Sequence, residues 1–242
     1  MAQNIYDDPG FFDGYSRLPR QTEGLAGAPE WPTVRAMLPD LSGKRVLDLG
    51  CGFGWASRHM REAGAAAVLG IDLSERMLAR AAADTGDHAI TYRRADLETL
   101  ELPSASADFA YSSLAFHYVA DFSRLARMLH GALTPGGGLL FTIEHPIYMA
   151  ADRPDWLVDR AGNKVWPVAR YADEGERRTD WLAPGVVKHH RTMATTLNTL
   201  VDAGFSIRRI AEFAPSPETV AATPALAEER ERPMLLTVAA TR

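Results

Sequence analysis

The chain has 242 residues, 46% of them hydrophobic and 24% charged, with a net charge of −5. This composition is globular, long enough to bury a core without disulfides or metal, and it excludes disorder as the main state. No apolar run approaches the roughly 18 residues of a membrane span, and the single cysteine, Cys51, excludes an internal disulfide.

The opening MAQNIYDDPGFF has no basic start and no apolar stretch, so it does not read as a secretory signal. A lone cysteine suits a reducing compartment, and a cytoplasmic protein without membrane association is expected. The acidic balance speaks against a surface that coats nucleic acid.

Residues 1–40 are punctuated by Pro9, Pro19, Pro29, Pro32 and Pro39 and carry Tyr6, Phe11, Phe12, Tyr15 and Trp31. They read as a loop-rich arm draped over the rest, with a helix only near 32–38. The period then changes. Residues 44–49 form a short apolar run that ends in glycines, a buried parallel strand. A helix over 55–63 stops at Gly64, and 66–71 is a second strand. Ser74 is an N-cap for a helix with the stripe Met77, Leu78, Ala81 and Ala82.

Residues 90–94 and 108–112 are the third and fourth strands. Asp121 caps a helix with Phe122, Leu125, Met128, Leu129 and Ala132 on one face. Pro135-Gly136-Gly137-Gly138 reads as a turn into strand five, 139–143. Residues 146–192, with Trp156, Trp166 and Trp181, break the rhythm and read as an insertion that caps the site. A helix over 192–203 and strands over 205–213 and 234–240 finish the chain. Alternating strands and helices predict an α/β, doubly wound, Rossmann-like sheet with right-handed crossovers. One domain, 1–242, is expected, with a lid arm 1–40 and a cap insertion 146–192.

The strongest motif is Val46-Leu47-Asp48-Leu49-Gly50-Cys51-Gly52-Phe53-Gly54, between a predicted strand and a predicted helix. Glycines there let the backbone turn sharply and approach a ligand. Asp72 closes the next strand, where a carboxylate can accept two ribose hydroxyls. A dinucleotide loop requires G-x-G-x-x-G or A, but Trp55 stands in the third small position, and Gly54 comes early to give G-x-G-x-G.

That loop, preceded by Asp48, resembles the class I S-adenosylmethionine-dependent methyltransferases, of the type 11 kind. The resemblance continues in order through Asp72-Leu73-Ser74 with Met77, Arg94-Ala95-Asp96-Leu97, Asp108-Phe109-Ala110 and Leu133-Thr134-Pro135-Gly136-Gly137. It implies a seven-stranded, mostly parallel sheet of order 3-2-1-4-5-7-6 with the last strand antiparallel. It also implies S-adenosylmethionine as co-substrate, with no metal. Asp72 would hold the ribose, Asp96 the adenine amine, and the loop Gly50, Cys51, Gly52 and Gly54 with Asp48 the methionine end. Leu73, Met77, Ala95, Leu97 and Ser113 would complete that site.

Tyr15 is a candidate to face the sulfonium through its ring, and Arg20 to pair with the donor's carboxylate. Cys51 reads as a small buried filler, with no base nearby in sequence. His117 and His145 follow strands four and five, at the strand ends where ligands bind in open sheets. Each is a candidate general base; equally, His117 packs beside the donor and His145 braces the insertion. His189, His190 and Arg191 are candidates to reach back over the site. No closely spaced metal-ligand pairs occur.

The acceptor expected is a small molecule, O- or N-methylated, with C-methylation open. The segment after strand four, Ser112-Ser113-Leu114-Ala115, lacks the Asn- or Asp-Pro-Pro-Tyr of nucleic-acid amino methyltransferases. The alternatives are a macromolecule-modifying methyltransferase, a catalytically silent S-adenosylmethionine-binding module, or a nucleotide-cofactor oxidoreductase. Oligomeric state is not legible.

Overall fold

A computed structural model describes residues 3–151 and 155–242. The first two residues of the expected arm and residues 152–154 of the expected insertion lie outside the described residues. The arm holds helices α1 (Pro9–Ser16), α2 (Pro19–Thr22) and α3 (Trp31–Met37). The core follows as β1 (Arg45–Leu49), α4 (Trp55–Glu62), β2 (Ala67–Asp72), α5 (Glu75–Ala83), β3 (Ile90–Arg94), β4 (Ala107–Ser113), α6 (Phe122–Ala132) and β5 (Leu133–Glu144). Then come α7 (Pro146–Met149), β6 (Leu157–Val158), β7 (Lys164–Val165), β8 (Gly175–Trp181) and β9 (Ala183–His190). The chain closes with α8 (Met193–Asp202), β10 (Ser206–Glu212), α9 (Pro217–Ala222) and β11 (Leu235–Thr241).

Seven strands form one sheet in the order β3-β2-β1-β4-β5-β11-β10. All neighbours are parallel except β11, which runs antiparallel to both β5 and β10. This is the expected 3-2-1-4-5-7-6 plan. Successive side chains on a strand face opposite sides, and both sides are buried. Val46, Phe109, Tyr111 and Leu140 pack with Met60 and Val34 on the α3–α4 side. Leu47, Leu49, Ala110 and Phe141 pack with Leu125, Leu129 and Leu200 on the α6–α8 side. Asp48 falls in the alternation on the α4 side, and Ser57 of that helix donates to its Oδ2 at 2.5 Å.

The sequence-based expectation of a loop-rich arm is corrected. Most of residues 5–37 are helical, because prolines occupy the first turns of α1, α2 and α3, where the missing N–H is no loss. Asp8 caps α1 by accepting from the Phe11 N–H. The Pro-Gly-Gly-Gly turn is corrected as well. It forms a bulge inside β5, whose pairing jumps from Ala107↔Leu133 to Phe109↔Gly138. Its backbone groups are taken up by Arg242, which donates to Gly137 O and accepts from Gly136 N.

The segment 146–192 contains two hairpins, β6–β7 and β8–β9. Tyr148 stacks on Trp166, and the Arg232 guanidinium lies 4.2 Å over the Trp166 ring. Trp156 Nε1 donates to Glu228. These contacts tie the segment to residues 224–232. Among the described residues no helix is long and apolar enough to cross a membrane.

Candidate functional site

The strand order reverses between β1 and β4, and in open α/β sheets a crevice opens at the carboxyl ends of such a pair. A cavity of about 840 Å³ lies there. Its floor is the loop after β1. Gly50 has φ +73°, and a Cβ on it would stand 2.3 Å from the Ala115 Cβ. Gly54, φ +74°, starts α4, and a Cβ there would meet the Tyr92 hydroxyl at 2.2 Å. Both positions need glycine for conformation and for space. Leu114, at the end of β4, holds φ +56° without being glycine. Strain of that kind collects at ligand sites and costs roughly 1–3 kcal/mol.

Asp72 ends β2 inside the cavity. Its Oδ2 accepts from Gly52 N and its Oδ1 from Ser74 N, both at 2.9 Å. Those bonds fix the carboxylate while leaving lone pairs for a ligand. Burial pushes its carboxyl up, against the two N–H groups that hold it down. Asp48 lies under the loop, and burial pushes its carboxyl up to about 6, opposed by the Ser57 hydroxyl and reinforced by Asp72. Cys51 is buried, and burial pushes its thiol well above the ordinary range. A filler fits that environment and a nucleophile does not.

Leu73, Met77, Asp96, Leu97 and Ser113 also line the cavity, as do Tyr15 and Arg20 from the arm. Arg20 donates through Nη2 to both oxygens of the buried Glu30. Among the described residues its Nε and Nη1 have no hydrogen-bond partner, and a guanidinium has five N–H groups to offer. Gly54 and Ala95 are not on the cavity wall. Gly54 starts α4, and Ala95 N donates to Asp72 O behind it.

The two candidate histidines part company. His145 is off the cavity wall. It caps α7 by accepting from Ile147 N at Nδ1, and its Nε2 meets Glu212 at 2.8 Å. Both ring nitrogens thus have partners among the described residues, at the start of segment 146–192. His117 does line the cavity, on the turn Phe116–Tyr118. Its Nδ1 accepts from Glu144 N at 3.3 Å. Burial pushes its imidazole well below the ordinary value, and the cations Lys188 and Arg191 push the same way. With Nδ1 accepting from Glu144 N, the neutral ring carries its proton on Nε2 and can donate there. Arg191 holds the turn by donating to Phe116 O and Val119 O. His189 and His190 are not on the wall.

The other end of the cavity is walled by residues the motifs did not point to: Tyr6, Tyr118, Glu144, Tyr148, Trp181 and Lys188. Tyr6 and Tyr118 hydroxyls lie 3.1 Å apart. Lys188 Nζ donates to Glu144. Lys188 sits with Val186 and His190 on the buried face of β9. That alternation in Val186-Val187-Lys188-His189-His190 is a period-two signal that could have flagged it. The arm crosses between the two ends. Gln3 pairs with the backbone of Gly185 and Val187, while Asp7 accepts from Ser74 Oγ and Arg76 N.

The cavity suits S-adenosylmethionine by its donor set. Carboxylates for hydroxyl, amine and ammonium groups stand at one end. Trp55 Nε1 lies buried beside them with no partner among the described residues. Among those residues no group of three or more His, Cys, Asp or Glu could hold a metal ion.

A family profile described as "Methyltransferase domain" matches residues 47–141. The crystal structure of an S-adenosylmethionine dependent methyltransferase from Mesorhizobium loti is 58% identical. It covers 90% of this chain and 100% of its own, with a TM-score of 0.87. An uncharacterized protein of Haemophilus influenzae is 36% identical over 217 residues, 86% of this chain and 85% of its own. A malonyl-[acyl-carrier protein] O-methyltransferase of Pseudescherichia vulneris is 37% identical over 131 residues, 54% of this chain and 48% of its own.

Proposed function

The chain belongs to the S-adenosylmethionine-dependent methyltransferases, and from that premise we propose that it methylates a small molecule enclosed under the arm 1–40 and the cap insertion 146–192. One observation supports this reading: side chains of the arm (Tyr6, Tyr15) and of β8–β9 (Trp181, Lys188) line the same cavity of about 840 Å³ as the glycine loop, a size and lining that suit a small ligand. The donor supplies an electrophilic methyl carbon on a sulfonium.

The chain's own residues bind and align. Asp72 accepts the ribose hydroxyls, Asp96 the adenine amine, and Leu73, Met77 and Leu97 enclose the base. Asp48 and Arg20 face the ammonium and carboxylate of the methionine end. Tyr15 and Tyr6 present rings toward the cationic sulfur, a contact worth roughly 0.5–2 kcal/mol. Alignment of the acceptor supplies most of the acceleration, up to roughly 7–11 kcal/mol. His117 donates a hydrogen bond to the acceptor. The partly matching relative above is named for O-methylation of a protein-carried acyl group, and that reading stands second, because its likeness spans only about half of each chain.

The test is a label. Purified protein is incubated with methyl-labelled S-adenosylmethionine and a cell extract, which is then split by size. Label in the low-mass fraction supports the reading. Label retained on protein or RNA overturns it.

A further inference from the structure

The cavity holds two buried side chains, Lys188 and His117, with N–H groups that have no acceptor among the described residues. Lys188 is 3% exposed, and its ammonium gives one N–H to Glu144 Oε1. Its Nζ otherwise lies 5.2 Å from the Trp181 ring. An ammonium carries three N–H groups, so two lack an oxygen acceptor among the described residues. His117 is 2% exposed, its Nδ1 is taken by Glu144 N, and its Nε2–H has no partner among those residues. Both side chains line the cavity.

The acids on this part of the wall, Glu98, Glu144, Asp155 and Asp180, already accept hydrogen bonds from the protein itself. Arg191 donates to Phe116 O and Val119 O beside His117, and Lys188 pairs with Glu144. Glu98 accepts from Ala120 N and Asp121 N, Asp180 from Gly185 N, and Asp155 from Trp156 N, so these carboxylates are held in place and keep their charge.

We propose that Lys188 Nζ and His117 Nε2–H together form the docking station for a carboxylate on the acceptor, which makes the substrate class a small aromatic or apolar acid. This rests on the small-molecule reading above and deepens it. The aromatic walls of Tyr6, Tyr118, Tyr148 and Trp181 receive the apolar body, and the two donors receive its anionic end. Two charge-assisted or directed N–H bonds to one planar group fix the acceptor's orientation as well as its charge. Neither donor takes a proton from the acceptor, so the station recognises and orients it.

The experiment uses the full chain saturated with S-adenosylhomocysteine, which fills the donor end. Three matched probes are titrated by calorimetry: phenylacetate, phenylacetamide and phenethylamine. Phenylacetate is expected to bind about tenfold more tightly than phenylacetamide, with phenethylamine weakest. Lys188→Met should erase the preference while S-adenosylhomocysteine binding stays within about twofold. Because Lys188→Met leaves Glu144 without its partner, Lys188→Met/Glu144→Gln is measured beside it and should behave alike. Equal or tighter binding of phenethylamine, no measurable binding of phenylacetate, or an unchanged preference in both variants overturns the proposal. Failure of S-adenosylhomocysteine to bind the wild type is a different result and strikes the donor reading instead.

Discussion

The two ends of the cavity are built by different means. The donor end is made of backbone. Strand ends β1, β2 and β4, each locked into the sheet, place Asp48, Asp72 and Ser113, and the glycine loop spans them. The acceptor end is made of side chains from elements far apart in sequence, Tyr6 in the arm, Glu144 at the end of β5 and Lys188 in the insertion, held by polar contacts such as Gln3–Gly185 and Lys188–Glu144. Damage to the first end should reach folding. Damage to the second should mostly reach ligands.

Gly54→Ala gives the largest effect on that contrast. A Cβ there meets Tyr92 and forces a left-handed backbone on alanine, which should cost about 2–4 kcal/mol of stability. Urea unfolding checks this, and a cost near zero would mean that the loop is less committed than its geometry. Arg20→Ala comes next. It should raise the donor's KM about tenfold, and it should also lower Tm by leaving the buried Glu30 without its partner. A lower Tm with KM unchanged would restrict Arg20 to its contact with Glu30.

The third prediction separates folding from binding within the donor end. The Asp48 carboxyl, pushed by burial up to about 6, binds its proton more tightly folded than unfolded. Its contribution therefore favours the folded ligand-free protein increasingly as pH falls from about 6 to about 4. Donor affinity should move the opposite way, falling by up to about tenfold per pH unit below pH 6 as the charge facing the ammonium is lost. Asp48→Asn should flatten both profiles, and a parallel profile in the variant would assign the titration elsewhere. The smallest effect belongs to the clip between the two ends. Asp7→Ala removes an acceptor from the N-terminus of α5 and should cost about 1 kcal/mol, or roughly 2–4 °C in Tm.

The same contrast decides what the sequence could show. Asp48, Gly50, Asp72 and Asp96 were legible as residues of one cavity because a strand end followed by a turn is a local pattern. The sheet order followed from the same alternation. Of the arm's helices, α3 was read near 32–38, but α1 and α2 were missed because prolines at first turns look like breaks when counted one by one. Tyr6 was missed because its partner Tyr118 lies 112 positions away, and Lys188 because the period-two burial of β9 went unread. His145 was placed correctly after β5, but sequence could not show that both ring nitrogens have partners in the protein itself.

The most direct test of the central claim is calorimetric titration of S-adenosylhomocysteine into the wild type and into Asp72→Ala. The account predicts binding in the micromolar range by the wild type and at least about a 100-fold loss in the folded variant. No binding by the folded wild type, or equal binding by both proteins, would contradict it.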